Sequence, residues 1–429
     1  MIALAGLALA GCVLVSLPPV RERIALRFEA LRAKIFYSLN PPEEAVFTPQ
    51  QNQEVDVIVQ STMQAYQLTA TASAAPTDTP TFIPQADVVT VTPFPTLAPL
   101  PASATLSGVR YEDQHGLWNY CAPATLSMAL SFWGWQGNRV TAGEVLKPYE
   151  KDKNVMLYEM ESFAAAQPGL TAVLRPGGTL EQLKRLIAAG FPPIIEKGTY
   201  IKEVSTGRIS WMGHYNVLTG YDDAAGQFIA QDSYYTADYP LAYNLLEREW
   251  RAFNFMFLVI YPPERQDELF AVLGAYQDLP ASNRLAAGTA QKEAGALQGV
   301  DRYFAQFNYG TNLVNQQNYG AAASAYDRAF ELYAALPAEE RPWRILWYQT
   351  GPYFAYYYMG RYQDVIELAT TTLDAASEPF LEESYYWRAR ARAALGDMTG
   401  AAEDLHTSLK YHPDFGPTLQ AMQDLGITN

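Results

Sequence analysis

One cysteine of this 429-residue chain stands where a nucleophile would stand: Cys121, in the run QHGLWNYCAPATLSMALSFWGW from Gln114 to Trp135. From Cys121 onward the apolar residues Leu126, Ala129, Leu130 and Trp133 recur at helical spacing, which predicts a helix starting at or near the cysteine. At a helix N-terminus the exposed backbone N–H groups and the positive end of the dipole favour a thiolate over a thiol, and the thiolate is the nucleophile. Pro123 fits this placement, because proline is well tolerated in the first helical turn. A lone cysteine in an apolar helix is equally what a packing residue looks like, so the residues able to serve it decide between the readings. Amide cleavage by a thiolate needs a base for the sulfur's proton, a group to orient that base, and donors where the oxyanion forms. Candidates for the base are few: His115, His214, His406 and His412.

The arrangement resembles the bacteriocin-processing cysteine peptidases and their free-standing relatives, a papain-like group that cleaves after double-glycine leaders when attached to export transporters. In that family a Gln precedes a Cys-Gly-Pro helix start, and a Gly-His-Tyr strand and a strand-end Asp follow far downstream. Here the pieces are Gln114, Cys121-Ala122-Pro123, Gly213-His214-Tyr215 and Gln231-Asp232-Ser233, and the resemblance covers roughly residues 107 to 262. It implies Cys121 as nucleophile, His214 as base, Asp232 as the residue orienting the imidazole, and Gln114 as an oxyanion donor beside the Cys121 N–H. Ala122 departs from the family's glycine; a methyl there either narrows the oxyanion pocket or is tolerated, which bears on activity and not on fold.

Position along the chain supports the same choice. His406 and His412 lie in the C-terminal region away from any motif, and His115 sits on the loop that would present Gln114. His214 opens a strand next to Gly213, where another backbone or a substrate can pass closely. Asp222 and Asp223 compete with Asp232, but they fall in the hairpin turn at the far end of that strand, whereas Asp232 ends the antiparallel neighbour. Packing is the ordinary role of a strand histidine, and turn capping that of a hairpin-end aspartate. Trp118 and Tyr120 line a cleft or pack the loop.

These residues need a scaffold, and the surrounding pattern supplies one. Helices are predicted over 142–149 and 155–166, and Thr179-Leu180-Glu181-Gln182 is a capping-box pattern opening a helix through Leu183, Leu186 and Ile187 that closes at Gly190. A short buried strand over 192–196 is followed by a polar crossover over 197–212 with a turn at Thr206-Gly207. Strands over 214–221 and 227–232 flank a hairpin turn, and a strand over 255–261 closes the sheet. A helical first half and an antiparallel second half is the α+β arrangement of a papain-like fold.

From residue 267 to 429 the chain turns to Ala- and Tyr-rich helices. Three segments align around turns at Asn318-Tyr319, Gly360-Arg361-Tyr362 and Gly396-Asp397-Met398, each followed at fixed offsets by Ala322, Val365 or Ala401 and by Tyr326, Ala369 or Leu405. They look like tetratricopeptide helix pairs, with Pro413 where such a repeat ends, so this part is expected to be an all-α tetratricopeptide-type repeat domain that recruits a protein partner. The first interval is longer than the second, which predicts an insertion near Pro337 to Arg344. A generic helical bundle is the plainer alternative.

Residues 1–17 form an apolar signal or anchor, and Leu9-Ala10-Gly11-Cys12 matches a lipobox, making Cys12 a lipidation candidate. No Lys or Arg precedes this segment while several follow it, an asymmetry that by itself would hold the chain in the cytoplasm. Residues 18–40 read as a juxtamembrane amphipathic helix with Ile24, Phe28, Leu31 and Ile35 on one face and arginines opposite. Residues 41–106 read as a linker; nine Thr and seven Pro fall within 69–105, a composition typical of extracytoplasmic stalks. That argument outweighs the charge asymmetry and places the chain outside the cytoplasm, on the membrane. Net charge is −15 without a basic stripe in the folded parts, which excludes nucleic acid as a partner, and two cysteines allow neither a disulfide framework nor a thiolate metal cluster. No cofactor is expected.

Two further functional classes remain beside a peptidase acting on a peptide or protein substrate. A catalytically inactive peptide-binding adaptor would use both domains as a scaffold. The same triad also serves acyl transfer or amide hydrolysis on other substrates.

Overall fold

The computed structural model describes residues 18–50, 99–203 and 207–428, and residues 18–26 by backbone only. Helix α1 (Pro18–Leu39) comes first. After it, strand β1 (Ser103–Thr105) leads to three helices, α2 (Cys121–Phe132), α3 (Arg139–Leu146) and α4 (Leu157–Ala165), then β2 (Thr171–Arg175) and α5 (Leu180–Ala188). Strands β3 (Pro193–Lys202), β4 (Ile209–Asp222), β5 (Gln227–Gln231) and β6 (Tyr239–Ala242) follow, then α6 (Tyr243–Arg251) and β7 (Phe257–Tyr261). Among the described residues these strands form one antiparallel sheet in the order β2-β7-β3-β4-β5-β6, with β1 paired on the end of β4.

Local chemistry explains most of these boundaries. Asn138 caps α3 by accepting from the N–H groups of Val140 and Thr141, and Thr179 caps α5 by accepting from Gln182 N–H at 3.0 Å. Only half of the expected capping box forms, because Gln182 turns its amide to the carbonyl of Val272. Leu183, Leu186 and Ile187 bury one face of α5 completely, each side chain worth about 1.5–3 kcal/mol relative to exposure. α2 is buried along most of its length and packs on β4, where the Thr125 hydroxyl donates to the carbonyl of Tyr215 at 3.2 Å.

The crossover expected over 197–212 is instead a long hairpin. β3 runs on to Lys202 and pairs with β4 from Ile194↔Val217 to Lys202↔Ile209. The polar residues that read as a loop are paired within the strand: Lys197 reaches Glu249 of α6 at 3.0 Å and Thr199 reaches the same carboxylate at 2.8 Å. β7 lies between β2 and β3, inside the sheet and not at its margin, and β1, β2 and β6 are strands the sequence pattern did not single out.

From residue 266 the chain is helical: α7 (Gln266–Leu273), α8 (Leu279–Ala296), α9 (Gly299–Asn315), α10 (Tyr319–Ala335), α11 (Ile345–Tyr348), α12 (Gly351–Tyr358), α13 (Tyr362–Asp374), α14 (Glu382–Ala394), α15 (Met398–Tyr411) and α16 (Gly416–Leu425). Helices pair across each of the three turns read from the sequence, and Ala322, Val365, Ala401, Tyr326, Ala369 and Leu405 are fully buried between them. The extra residues between α10 and α12 form a short 3-10 turn (Ala338–Glu340) and α11.

That extra segment is a clasp onto the sheet. Arg344 donates to the Ser210 hydroxyl and to the Trp211 carbonyl at 2.9 Å and pairs with Glu203; Trp343 Nε1 donates to Ser210 at 3.3 Å; Gln349 donates to the Ala252 carbonyl at 2.6 Å. Trp211 stacks on Phe253 from one side and on Phe304 of α9 from the other, so sheet and helices share one apolar core.

Both ends of the 41–106 stretch are built into the fold. Phe47 is buried against Phe330 and Tyr356, and β1 adds to the sheet. Residues 51–98, the apolar segment 1–17 and the lipidation candidate Cys12 lie outside the described residues, among which no helix is long and apolar enough to cross a membrane.

Candidate active site

Cys121 is the first residue of α2 and is partly exposed. The chain turns into it through Asn119, which has φ +50°, a left-handed conformation that asparagine tolerates better than most residues. The Asn119 amide fastens this bend by donating to the Asp152 carbonyl at 2.7 Å. The neighbouring rings are held by lysines: Lys147 lies 5.0 Å from the centre of the Tyr120 ring and Lys151 lies 5.7 Å from that of Trp118. Ala122 is buried in the core under α2.

His214 stands on β4 with its side chain buried. Its Nε2 meets Asp232 Oδ1 at 2.8 Å, and Asp232, directly after β5, is completely buried. The hairpin produces this pairing: Val217 is opposite Gln231, so the residues just beyond on each strand come together at the same end of the sheet. Asp232 Oδ1 also accepts from the N–H groups of Tyr234 and Tyr235 at 2.9 and 3.1 Å, so the aspartate caps its turn and holds the imidazole at once. With Nε2 taken, Nδ1 is the ring nitrogen left for Cys121, whose side chain adds to the upward shift of the imidazole.

Electrostatics follow from this geometry. Burial would lower the His214 pKa, but the Asp232 carboxylate and Cys121 outweigh it and hold the imidazole at about 9. Burial would raise Asp232, yet the charge and hydrogen bond of His214, with Lys197 and Asn216, keep it well below the usual carboxylate range. Histidine and aspartate thus form a buried ion pair.

Gln114 is tied to the residue after that aspartate. Its backbone N–H donates to the Ser233 carbonyl at 2.9 Å, and its side-chain Oε1 accepts from the Ser233 hydroxyl at 2.8 Å. With Oε1 occupied, the NH2 is the end of the side chain left to donate.

The competing residues are engaged elsewhere. His115 Nδ1 meets Asp113 at 2.7 Å, His406 meets the Thr428 carbonyl at 3.0 Å, and His412 meets Glu382 at 3.1 Å. Asp222 caps the β4–β5 turn through Ala224 and Ala225, and Asp223 pairs with Lys184 at 2.5 Å. Of the sequence-selected residues, His214 is joined to Asp232 directly and Gln114 to the neighbouring Ser233, Cys121 acts on His214, and Cys12 is outside the described residues.

Three residues near Cys121 were not legible in the sequence. Glu196, on β3 opposite Tyr215, is buried with its carboxyl Oε1 unpartnered among the described residues, and burial pushes its pKa well up. Tyr348, from the clasp, lies over Gly213, where a Cβ would come within 2.8 Å of its ring. Burial raises the Tyr348 hydroxyl, with the charge of Cys121 adding to the effect. Ser233 orients Gln114. A glycine before the histidine was the available signal for Tyr348, since it marks a close approach without naming what approaches.

Comparison with known proteins bears on the same stretch. No curated protein matches the chain. Among solved structures, one described as a C39-like peptidase from Bacillus anthracis matches at 18% identity over 37% of this chain and 97% of that one, with a TM-score of 0.31. The model of the Peptidase_C39 like family matches residues 106–256, which contain Gln114, Cys121, His214 and Asp232, so the sheet-bearing part of the chain is similar to a cysteine-peptidase domain.

Proposed function

We propose that the chain is an extracytoplasmic cysteine peptidase. Cys121 is the nucleophile, His214 the base and acid, and Asp232 the residue that fixes the imidazole, with the Cys121 N–H and the Gln114 amide at the oxyanion. The observation that carries this reading is the buried His214–Asp232 contact at 2.8 Å, placed beside a cysteine at the start of a helix. The Cys121 sulfur attacks the scissile carbonyl carbon, the C=O electrons move to oxygen, and the imidazolium gives its Nδ1 proton to the leaving nitrogen as the C–N bond breaks. Water then attacks the thioester carbon, His214 takes the water's proton, and the C–S bond breaks to free the carboxylate and Cys121. On this reading residues 1–17 anchor the chain, with Cys12 as the lipidated residue if the lipobox is used. The helix pairs act as tetratricopeptide-type repeats that engage a protein partner.

The test is alkylation of the folded full chain carrying Cys12→Ser, with iodoacetamide at pH 6 and mass spectrometry of the Cys121 peptide. A rate that falls at least about tenfold in His214→Ala, with the fold intact by circular dichroism, is expected for an imidazole-activated sulfur. Equal rates in the two proteins sink the peptidase and leave the adaptor.

A further inference from the structure

Helix α1 has two faces, and the fold uses one. Ala33, Phe36 and Tyr37 pack toward Trp343 and Trp347; Glu29 pairs with Lys151; Arg32 donates to the Ser377 carbonyl at 3.0 Å and lies 3.3 Å from Glu378; the Tyr37 hydroxyl accepts from Ser377. On the opposite face Phe28, Leu31, Ile35 and Leu39 are 69, 55, 51 and 74% exposed. Their spacing puts them in one continuous stripe along the helix. The same 3.6-residue geometry places exposed Arg27 and Lys34 along one border of the stripe and Arg32 along the other. Between Arg27 and Leu39 the single acidic residue, Glu29, is turned inward to Lys151.

We propose that the face formed by Phe28, Leu31, Ile35 and Leu39 is a lipid-contact surface that lies in the headgroup region of an anionic phospholipid bilayer. A large apolar stripe bordered by Arg27 and Lys34, with no exposed carboxylate between Arg27 and Leu39, matches the acyl boundary and the phosphates above it, into which such helices sink by about 5–10 Å. A second copy of the chain fits this face less well, because it would bring Arg27, Arg32 and Lys34 against their own counterparts. The body of the molecule carries the negative charge, with −15 overall, so an anionic surface repels the rest and selects this face. The helix is also a fixed foot and not a tether, since five of its residues are bound to the body. Lys151, which holds Glu29, lies over the ring of Trp118, three positions before Cys121. If the peptidase reading holds, the foot keeps the loop before the nucleophile close to the membrane, and peptides at the lipid surface are the substrate class presented to it.

The experiment uses the full chain in a Cys12→Ser, Cys121→Ser background, with an environment-sensitive fluorophore on Leu31→Cys and, as control, on Ser324→Cys, an exposed position of α10. Vesicles of phosphatidylcholine alone and with phosphatidylglycerol are added, with shallow doxyl-labelled lipid as quencher. A blue shift and lipid quenching at position 31, absent at 324 and stronger with phosphatidylglycerol, are expected; Arg27→Glu with Lys34→Glu should abolish the difference between the two lipid mixtures. A label at 31 that stays open to aqueous iodide on vesicle-bound protein overturns the proposal. So does a label already shielded without lipid, which would assign the face to a second copy or to residues 51–98. Neither readout depends on Cys121 chemistry, so failure here is separable from failure of the peptidase reading.

Discussion

Two clusters of buried ionisable groups lie near the start of α2, and they are built on opposite rules. At the candidate active site, His214 faces Asp232, a cation against an anion, and both hold their charge. Where the sheet-bearing part meets α14, Asp152 and Glu159 face Glu382 and Glu383, with His412 on Glu382 and Lys147 beside Asp152. There burial first, and mutual repulsion second, push the carboxyl groups up, Glu159 to about 8 and Glu382 and Glu383 well above the ordinary value. The first cluster is an ion pair. The second is a set of carboxyls pushed toward their neutral forms.

The largest effect should come from breaking the pair. Asp232→Asn keeps the shape but withdraws the charge that holds the imidazolium, and turnover should fall by on the order of 10⁴-fold, as loss of the orienting carboxylate does in triads. Peptidase assays or single-turnover alkylation of Cys121 would measure it; a loss of less than about tenfold would mean that Asp232 only caps its turn. Stability gives a second check. His214 is raised to about 9 in the fold, so its contribution is complete below about 6.5, the free value, and is lost as pH climbs through 9. Asp232 is depressed, so its contribution is present above about 4 and lost on acidification. Denaturant midpoints of the wild type should therefore hold a plateau between those limits that shrinks in Asp232→Asn.

A next, smaller effect concerns the clasp. Arg344→Ala removes the ion pair with Glu203 and the donors to Ser210 and Trp211, at a cost of about 3 kcal/mol. Because Tyr348 follows on the same short helix and covers Gly213 beside His214, this variant should also speed alkylation of Cys121 by bulky electrophiles relative to small ones. Destabilisation with an unchanged ratio of the two rates would separate the clasp from the site.

How much of this was readable before the structure depends on range. Cys121 was legible because helical periodicity and Pro123 are local signals, and the α5 cap because Thr179 and Gln182 stand three apart. His214 and Asp232 were legible through the family resemblance, while the turn rich in acidic residues and glycine gave the hairpin whose register can bring them together. The long β3–β4 hairpin was not, because Lys197 and Thr199 look like loop residues until Glu249 arrives from α6 to bind them. The insertion near Pro337 to Arg344 could be seen as a break in spacing, but its partners Ser210, Trp211 and Glu203 lie more than a hundred positions away. The raised carboxyls were invisible for the same reason: nothing in Glu159 or Glu383 announces that they will meet.

The smallest effect discriminates best between the two clusters, because its sign reverses the usual rule. Glu159 accepts from the Met156 N–H at 2.6 Å, a contact that a glutamine oxygen can keep, so Glu159→Gln removes the charge while leaving the acceptor. A carboxyl raised to about 8 in the fold and near 4.3 when free favours folding below about 4.3, and that advantage is lost as pH rises to 8. At pH 4 the variant and the wild type should therefore unfold within about 0.5 kcal/mol of each other. At pH 9 the wild type must carry a buried charge facing Glu383 and Asp152, and the variant should be more stable by on the order of 2 kcal/mol. Denaturant titrations at the two pH values decide the matter. An equal difference at both would mean that Glu159 is ionised throughout and compensated, and that the contact with α14 belongs to the same class as His214 and Asp232. A gain that grows as pH rises from about 4.3 to 8 instead makes the interface a proton-dependent joint, loosening over a range that begins where the His214–Asp232 pair is at its most stable.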